Sequence, residues 1–114
     1  MDKISIEDFA KLDLRVGEIL EVEEHPRADK LLILKVDFGS EIGERTIVAG
    51  LRNYYSVDEL EGKKAVFIVN ILPRKMMGIE SNGMILAAAD DEKSKVVFVE
   101  PEKDIDAGSK IGQG

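Results

Sequence analysis

Leu32, Leu34, Val36 and Phe38 fall at every second position, separated by Ile33, Lys35 and Asp37. A period of two belongs to a half-buried strand, so residues 31–38 are expected to form one. Leu14 to Glu24 reads as a longer strand whose alternation breaks at Gly17. A glycine there implies a bulge or sharp bend, as at a barrel corner. Arg45 to Ala49, Lys64 to Val69, Met84 to Ala88 and Val96 to Val99 complete the strand set. Ser5-Ile6-Glu7-Asp8 offers an N-cap and an acidic first turn, which predicts a short helix ending near Leu12. Ser56-Val57-Asp58-Glu59 has capping-box spacing and opens a second short helix before Gly62. His25 to Asp29 and Gly39 to Glu44 read as turns, and Ile71 to Gly83 as a loop. The tail around Asp106-Ala107-Gly108-Ser109 is turn-like.

Five or six short strands with turns every 8–12 residues point to an all-β barrel or sandwich. The bent first strand and the helix after the third favour a five-stranded OB-fold barrel with short helices, ahead of an SH3-like barrel. At 114 residues the chain is expected to be one domain, 1–114, with a core of about 9–100 and a C-terminal extension over 101–114.

Charge changes the picture. The chain has 23 acidic and 16 basic side chains, a net charge of −7, which taken as a whole disfavours a polyanion partner. Its distribution is uneven. Lys63 to Ile79 holds Lys63, Lys64, Arg74 and Lys75 and no acid, a local field that a phosphate backbone senses. Without cysteine there is no disulfide, thiolate metal site or cysteine nucleophile. No apolar run reaches the roughly 20 residues of a membrane span, and the N-terminus lacks the pattern of a secretory signal. A cytoplasmic protein without metal or cofactor is expected.

Catalytic chemistry is sparse. His25, the one histidine, precedes a proline in a turn and reads as a residue packing on the barrel rim. No phosphate-cradling P-loop or dinucleotide fingerprint occurs. The pairs Glu23-Glu24, Asp58-Glu59 and Asp90-Asp91 are adjacent, and adjacent strand residues face opposite ways. An enzyme is not expected.

Several segments in order carry a resemblance. Asp13-Leu14-Arg15-Val16-Gly17 is followed by His25-Pro26 and Ala28-Asp29-Lys30-Leu31, then by Val36-Asp37-Phe38-Gly39 and Ile47-Val48-Ala49-Gly50-Leu51. Last comes the run from Asn70-Ile71-Leu72-Pro73-Arg74-Lys75-Met76-Met77-Gly78 through Ser81-Asn82-Gly83-Met84 to Ala88. From about Phe9 to Ile111 the chain resembles the tRNA-binding domain appended to many methionyl-tRNA synthetases. It is similar also to the free-standing structure-specific tRNA-binding protein and to the endothelial-monocyte-activating polypeptide domain. The resemblance implies an OB-fold that binds tRNA by shape, and a homodimer where the domain stands alone. It implies a free-standing protein or a separate β part that assists a methionyl-tRNA synthetase catalytic chain. The chain departs from the family at Met77, where the pattern usually carries a basic residue. A related branch, an export-linked chaperone of the same fold, binds unfolded polypeptide, and Asp37-Phe38-Gly39-Ser40-Glu41-Ile42-Gly43 matches its pattern. That branch is the alternative.

On such a fold the ligand is expected on the face of strands two and three, rimmed by loops 25–30 and 70–83. The candidate tRNA-binding residues are then Arg27 and Lys30 on the first loop and Arg74 and Lys75 on the second. Arg15 and Lys35 lie on the strands between, and Asn70 and Ser81 offer hydrogen bonds to sugar or phosphate oxygens. Ile4 to Phe9, Ile105 and Ile111 lie outside the barrel strands and are the expected dimer contacts. Met76, Met77, Ile79 and Met84 form an apolar cluster suited to burial, a subunit contact or a peptide.

Overall fold

In a computed structural model that describes all 114 residues, the strand pattern closes into a barrel. Strands β1 (Leu14–Glu24), β2 (Leu32–Asp37) and β3 (Glu44–Ala49) form an antiparallel meander, with a short helix α2 (Gly39–Ile42) where the sequence reads as a plain turn. Helix α1 (Ile6–Phe9) precedes β1, capped by the Ser5 hydroxyl. Helix α3 (Val57–Leu60) bears the expected capping box. Ser56 accepts from the Glu59 amide and the Glu59 carboxylate accepts from the Ser56 amide, which holds that carboxyl below its usual range. Strand β4 (Lys64–Ile68) pairs with the first half of β1.

The segment read as a loop, 71–83, contains a hairpin of its own, β5 (Arg74–Met76) with β6 (Ile79–Ser81). Its two-residue turn, Met77-Gly78, has φ of 51° and 89°. Positive φ at both positions is the hairpin turn that matches strand twist, and Met is an unusual occupant. Next come β7 (Met84–Ile85), which pairs with β4, and the hairpin β8 (Ala87–Ala89) with β9 (Val96–Phe98). The main sheet runs β3-β2-β1-β4-β7. β3 is joined to the segment that leads from β6 into β7: the Asn82 amide donates to Thr46 O at 2.9 Å and the Val48 amide donates to Ser81 Oγ at 2.9 Å. The result is a nearly closed five-stranded barrel, consistent with the OB-like architecture.

The inward residues of these strands form one core, including Ile19, Leu34, Val36, Ile47 and Phe67, with Leu60 of α3 across one end. Phe38 and Phe67 meet edge-to-face at 5.2 Å. A Cβ on Gly17 would lie 2.6 Å from Phe38 and 2.9 Å from Phe67, so the glycine lets this aromatic pair approach the strand. The bend expected at Gly17 occurs further along instead. The register with β2 shifts between Ile19 and Glu21, leaving Leu20 as the bulge. The tail is not a free turn. Gly108 donates to Val16 O and Val16 donates to Ser109 O, and β10 (Lys110–Ile111) pairs with Leu14 and Arg15. It fills the edge of β1 that β2 leaves open.

Candidate nucleic-acid interface

The loop after β1 and the β5–β6 hairpin interlock at one rim of the barrel. His25, only 2% exposed, stands at the junction. Its Nδ1 accepts from the Arg27 amide at 3.0 Å, which places the ring hydrogen on Nε2, and Nε2 donates to Met76 O at 3.0 Å. The Arg27 guanidinium donates to Met77 O at 3.0 Å. It occupies the space that a side chain at Gly78 would need. Arg52, just after β3, backs the same loop: its amide donates to Lys30 O, and its guanidinium reaches Ala28 O at 3.3 Å and pairs with Glu24 at 3.2 Å. Arg27, Lys30, Arg74 and Lys75 are exposed. None takes part in the six ion pairs of the molecule. The neighbouring Asp29 makes no ion pair with Lys30, and Glu80, opposite Lys75 in the hairpin, makes none with it.

The remaining sequence candidates lie elsewhere. Arg15 is held by Asp13 at 2.6 Å and Glu41 at 2.7 Å, and it donates to Gly108 O. Hydrogen bonds from Asp13 first, then Glu41, raise its pKa above the ordinary guanidinium value. These contacts tie β1 to α2 and the tail. Lys35 lies 3.4 Å from Glu44. It sits on the outer face of β1–β3 with Glu21 directly across from it, and Glu23 further along β1. That face is therefore net acidic, which is unfavourable for a polyanion lying across strands two and three.

Asn70 and Ser81 are engaged within the fold. The Asn70 amide group accepts from the Asp13 amide and donates to Lys11 O, both at 2.7 Å, clamping the chain ahead of β1. Ser81 is buried, and its hydroxyl accepts from Val48 and donates to Gly83 O. Both polar groups are spent on the fold. A single sequence shows that a side chain can hydrogen-bond, but not that a non-local backbone group has claimed it. Arg52 escaped sequence reading, although it directly follows the Ile47-Val48-Ala49-Gly50-Leu51 motif.

An apolar cleft of about 290 Å³ opens beside the hairpin, lined among others by Leu51, Ile71, Leu72, Met84 and Ile85, with Arg74 at its edge. Met76 borders it, whereas Met77 projects from the hairpin turn. No helix is long and apolar enough to cross a membrane.

Comparison with known proteins follows the same line. The family model for a tRNA binding domain matches residues 14–110. The methionine–tRNA ligase of Pyrococcus horikoshii is 50% identical over 111 residues, 97% of this chain and 15% of that protein. The corresponding enzyme of Caldanaerobacter subterraneus is 51% identical over 97% of this chain and 17% of its own length. This chain thus spans about one sixth of those ligases. Among solved structures, a MetRS related protein from Pyrococcus horikoshii superposes with a TM-score of 0.90 at 36% identity, covering 97% of this chain and 99% of that one. The chaperone CsaA from Bacillus anthracis follows at 0.87 and 31%, covering 97% and 100%. With its barrel, its motifs and a match over most of its length, the chain belongs to the tRNA binding domain family related to the C-terminal part of methionyl-tRNA synthetase.

Proposed function

We propose that this chain is a non-catalytic module that holds folded tRNA by its shape and phosphate backbone and so assists a methionyl-tRNA synthetase in the cytoplasm. The observation that carries this reading is the gathering of Arg27, Lys30, Arg74 and Lys75, unpaired, on two interlocked loops of an otherwise acidic molecule. Arginine forks and lysine point charges suit phosphate oxygens and carry no base preference. The cleft has aliphatic rather than aromatic walls, which favours a structured RNA over a splayed single strand.

A homodimer belongs to the same proposal. Ile4, Ile6 and Leu12 lie exposed around α1, which buries none of its own side chains. Asn70 bonds the backbone on either side of Leu12, and Ile71 and Leu72, which follow Asn70, are exposed as well. A two-fold pairing through this strip, with exposed Ile105 contributing, would double the phosphate contacts without new side chains. Ile111, by contrast, is engaged with Leu14 in the sheet. Light scattering at micromolar concentration tests the dimer, with a mass of twice 12.6 kDa expected.

The test of the main reading is a gel-shift titration with folded tRNA, the same tRNA denatured, and duplex DNA of equal length. Folded tRNA should bind most tightly, and equal affinity for all three would defeat recognition by shape. Replacing Arg74 and Lys75 with Ala should flatten the salt dependence by about 1–2 units. The second reading, a chaperone, is supported by the cleft and by the likeness to CsaA. It requires that the protein suppress aggregation of an unfolded client and leave tRNA unbound.

A further inference from the structure

We infer that His25 is a positioning residue for RNA binding, holding the loop after β1 against the β5–β6 hairpin so that the cations of both are presented to the RNA in one fixed arrangement. This rests on the tRNA reading above. The hairpin is a separate two-stranded sheet beside the barrel. Isolated hairpins are marginal, so its orientation depends on its anchors. At its base the anchor is Ser81 to Val48. At its tip the anchors are His25 to Met76 O and Arg27 to Met77 O.

His25 acts at both ends of the ring. Nδ1 fixes the turn of its own loop through the Arg27 amide, and Nε2–H grips the backbone beside Lys75. Its own carbonyl and that of Ala28 face the Arg52 guanidinium, so the loop is braced from behind as well. With the ring gone, loop and hairpin would move independently, and ordering them would fall to the binding step, at a cost in affinity. The number of cations would not change.

Two substitutions separate the two ends of the ring. Asn places an acceptor where Nδ1 stands and keeps the local turn, but does not reach Met76. Gln places a donor where Nε2 stands and keeps the grip on the hairpin. Gel-shift titrations with folded tRNA are run on both variants across a salt series, well below their melting temperatures. His25→Asn should bind roughly tenfold more weakly, the effect of one lost hydrogen bond, with the salt slope of the wild type. His25→Gln should stay within about threefold of the wild type. A merely structural histidine would lower melting temperature in both variants and affinity in neither. Equal affinities of the Asn and Gln variants, or a salt slope that falls as it does for Arg74→Ala, would overturn the positioning role. Wild-type protein that ignores tRNA would instead defeat the underlying reading. Amide exchange at 74–77, faster in Asn than in Gln, would then show that the brace stands without an RNA to serve.

Discussion

Two basic regions of this molecule have opposite fates. At the tail seam, Arg15 is matched by Asp13 and Glu41, and Lys64 by Asp104 and Ile105 O. At the rim, Arg27, Lys30, Arg74 and Lys75 have no carboxylate partner, and Arg27 spends one guanidinium nitrogen on a backbone carbonyl. Both regions contain Arg and Lys on or beside strands. What separates them is whether an acid has been delivered from a distant part of the chain. Glu41 arrives on α2 and Asp104 on the tail, so the seam's cations are neutralised by folding. Acids do reach the rim, Glu80 on β6 and Asp29 on the loop, but neither closes an ion pair with these four cations, and Glu24 is taken by Arg52. A cation left unpaired after folding is available to an external anion; a paired one must first lose its partner.

The largest expected effect comes from reversing the rim. Arg74→Glu with Lys75→Glu removes two phosphate contacts and adds two repulsions, and tRNA affinity should fall by roughly a hundredfold or more at low salt. Both side chains are exposed, so thermal stability should change little, within about 0.5 kcal/mol. A stable variant with unchanged affinity would place the RNA elsewhere and end the contrast between the two regions.

The seam should answer the other way. Arg15→Ala leaves Asp13 and Glu41 without their shared cation and frees the tail at Gly108. The melting temperature should drop, and hydrogen exchange at the Val16 and Gly108 amides should accelerate. Affinity for tRNA should stay within about twofold, since no rim contact is touched. A loss of affinity with the tail still protected would make Arg15 a binding residue after all.

Which of this was legible in the sequence depends on the range of the interaction. The alternation of Leu32, Leu34, Val36 and Phe38 named β2, and the Ser56–Glu59 box named α3, because both signals are local. That Arg74 and Lys75 stay free of ion pairs follows from a local signal too, since they lie in a stretch free of acids. The local signal is silent on Arg15, Lys35, Asn70 and Ser81, whose partners lie 2 to 59 residues away, among them Asp13, Glu44, Lys11 and Val48. The β5–β6 hairpin is not legible because Met77 at a positive-φ turn position is not a turn signal. The β10 pairing was missed because two residues are too few for a period to appear.

Met77 offers a milder way to sharpen the contrast. It stands exposed at the hairpin tip, and its own carbonyl is the one that Arg27 grips. Met77→Lys adds one charge to the rim without adding an acid. Affinity for folded tRNA should rise several-fold at low salt, and the salt slope should steepen by about one unit. A steeper slope with denatured tRNA alone would mean that the new charge acts without regard to shape.

The smallest effect concerns the tail latch and its dependence on pH. The Lys64 hydrogen bond, reinforced by its charge, holds the Asp104 carboxyl below its ordinary range. The Asp104 hydrogen bond first, with the Asp104 charge behind it, raises the Lys64 ammonium above its ordinary range. A depressed carboxyl adds stability above its unfolded pKa and loses it as pH falls through the lower folded value. A raised ammonium adds stability below its unfolded pKa and loses it as pH climbs through the higher folded value. The latch is therefore intact across the neutral range and opens only at the acid and alkaline extremes. Asp104 is largely exposed, so screening keeps the contribution small. Amide exchange across 104–109 should be flat with pH near neutrality, after correction for intrinsic rates, and should rise on the acid side as Asp104 is protonated. Asp104→Asn should abolish that acid-side rise and leave tRNA binding at neutral pH as it was. If the acid-side rise instead persisted in Asp104→Asn, the Lys64–Asp104 pair would not be what holds the tail, and the contrast between a neutralised seam and an unpaired rim would lose its first half.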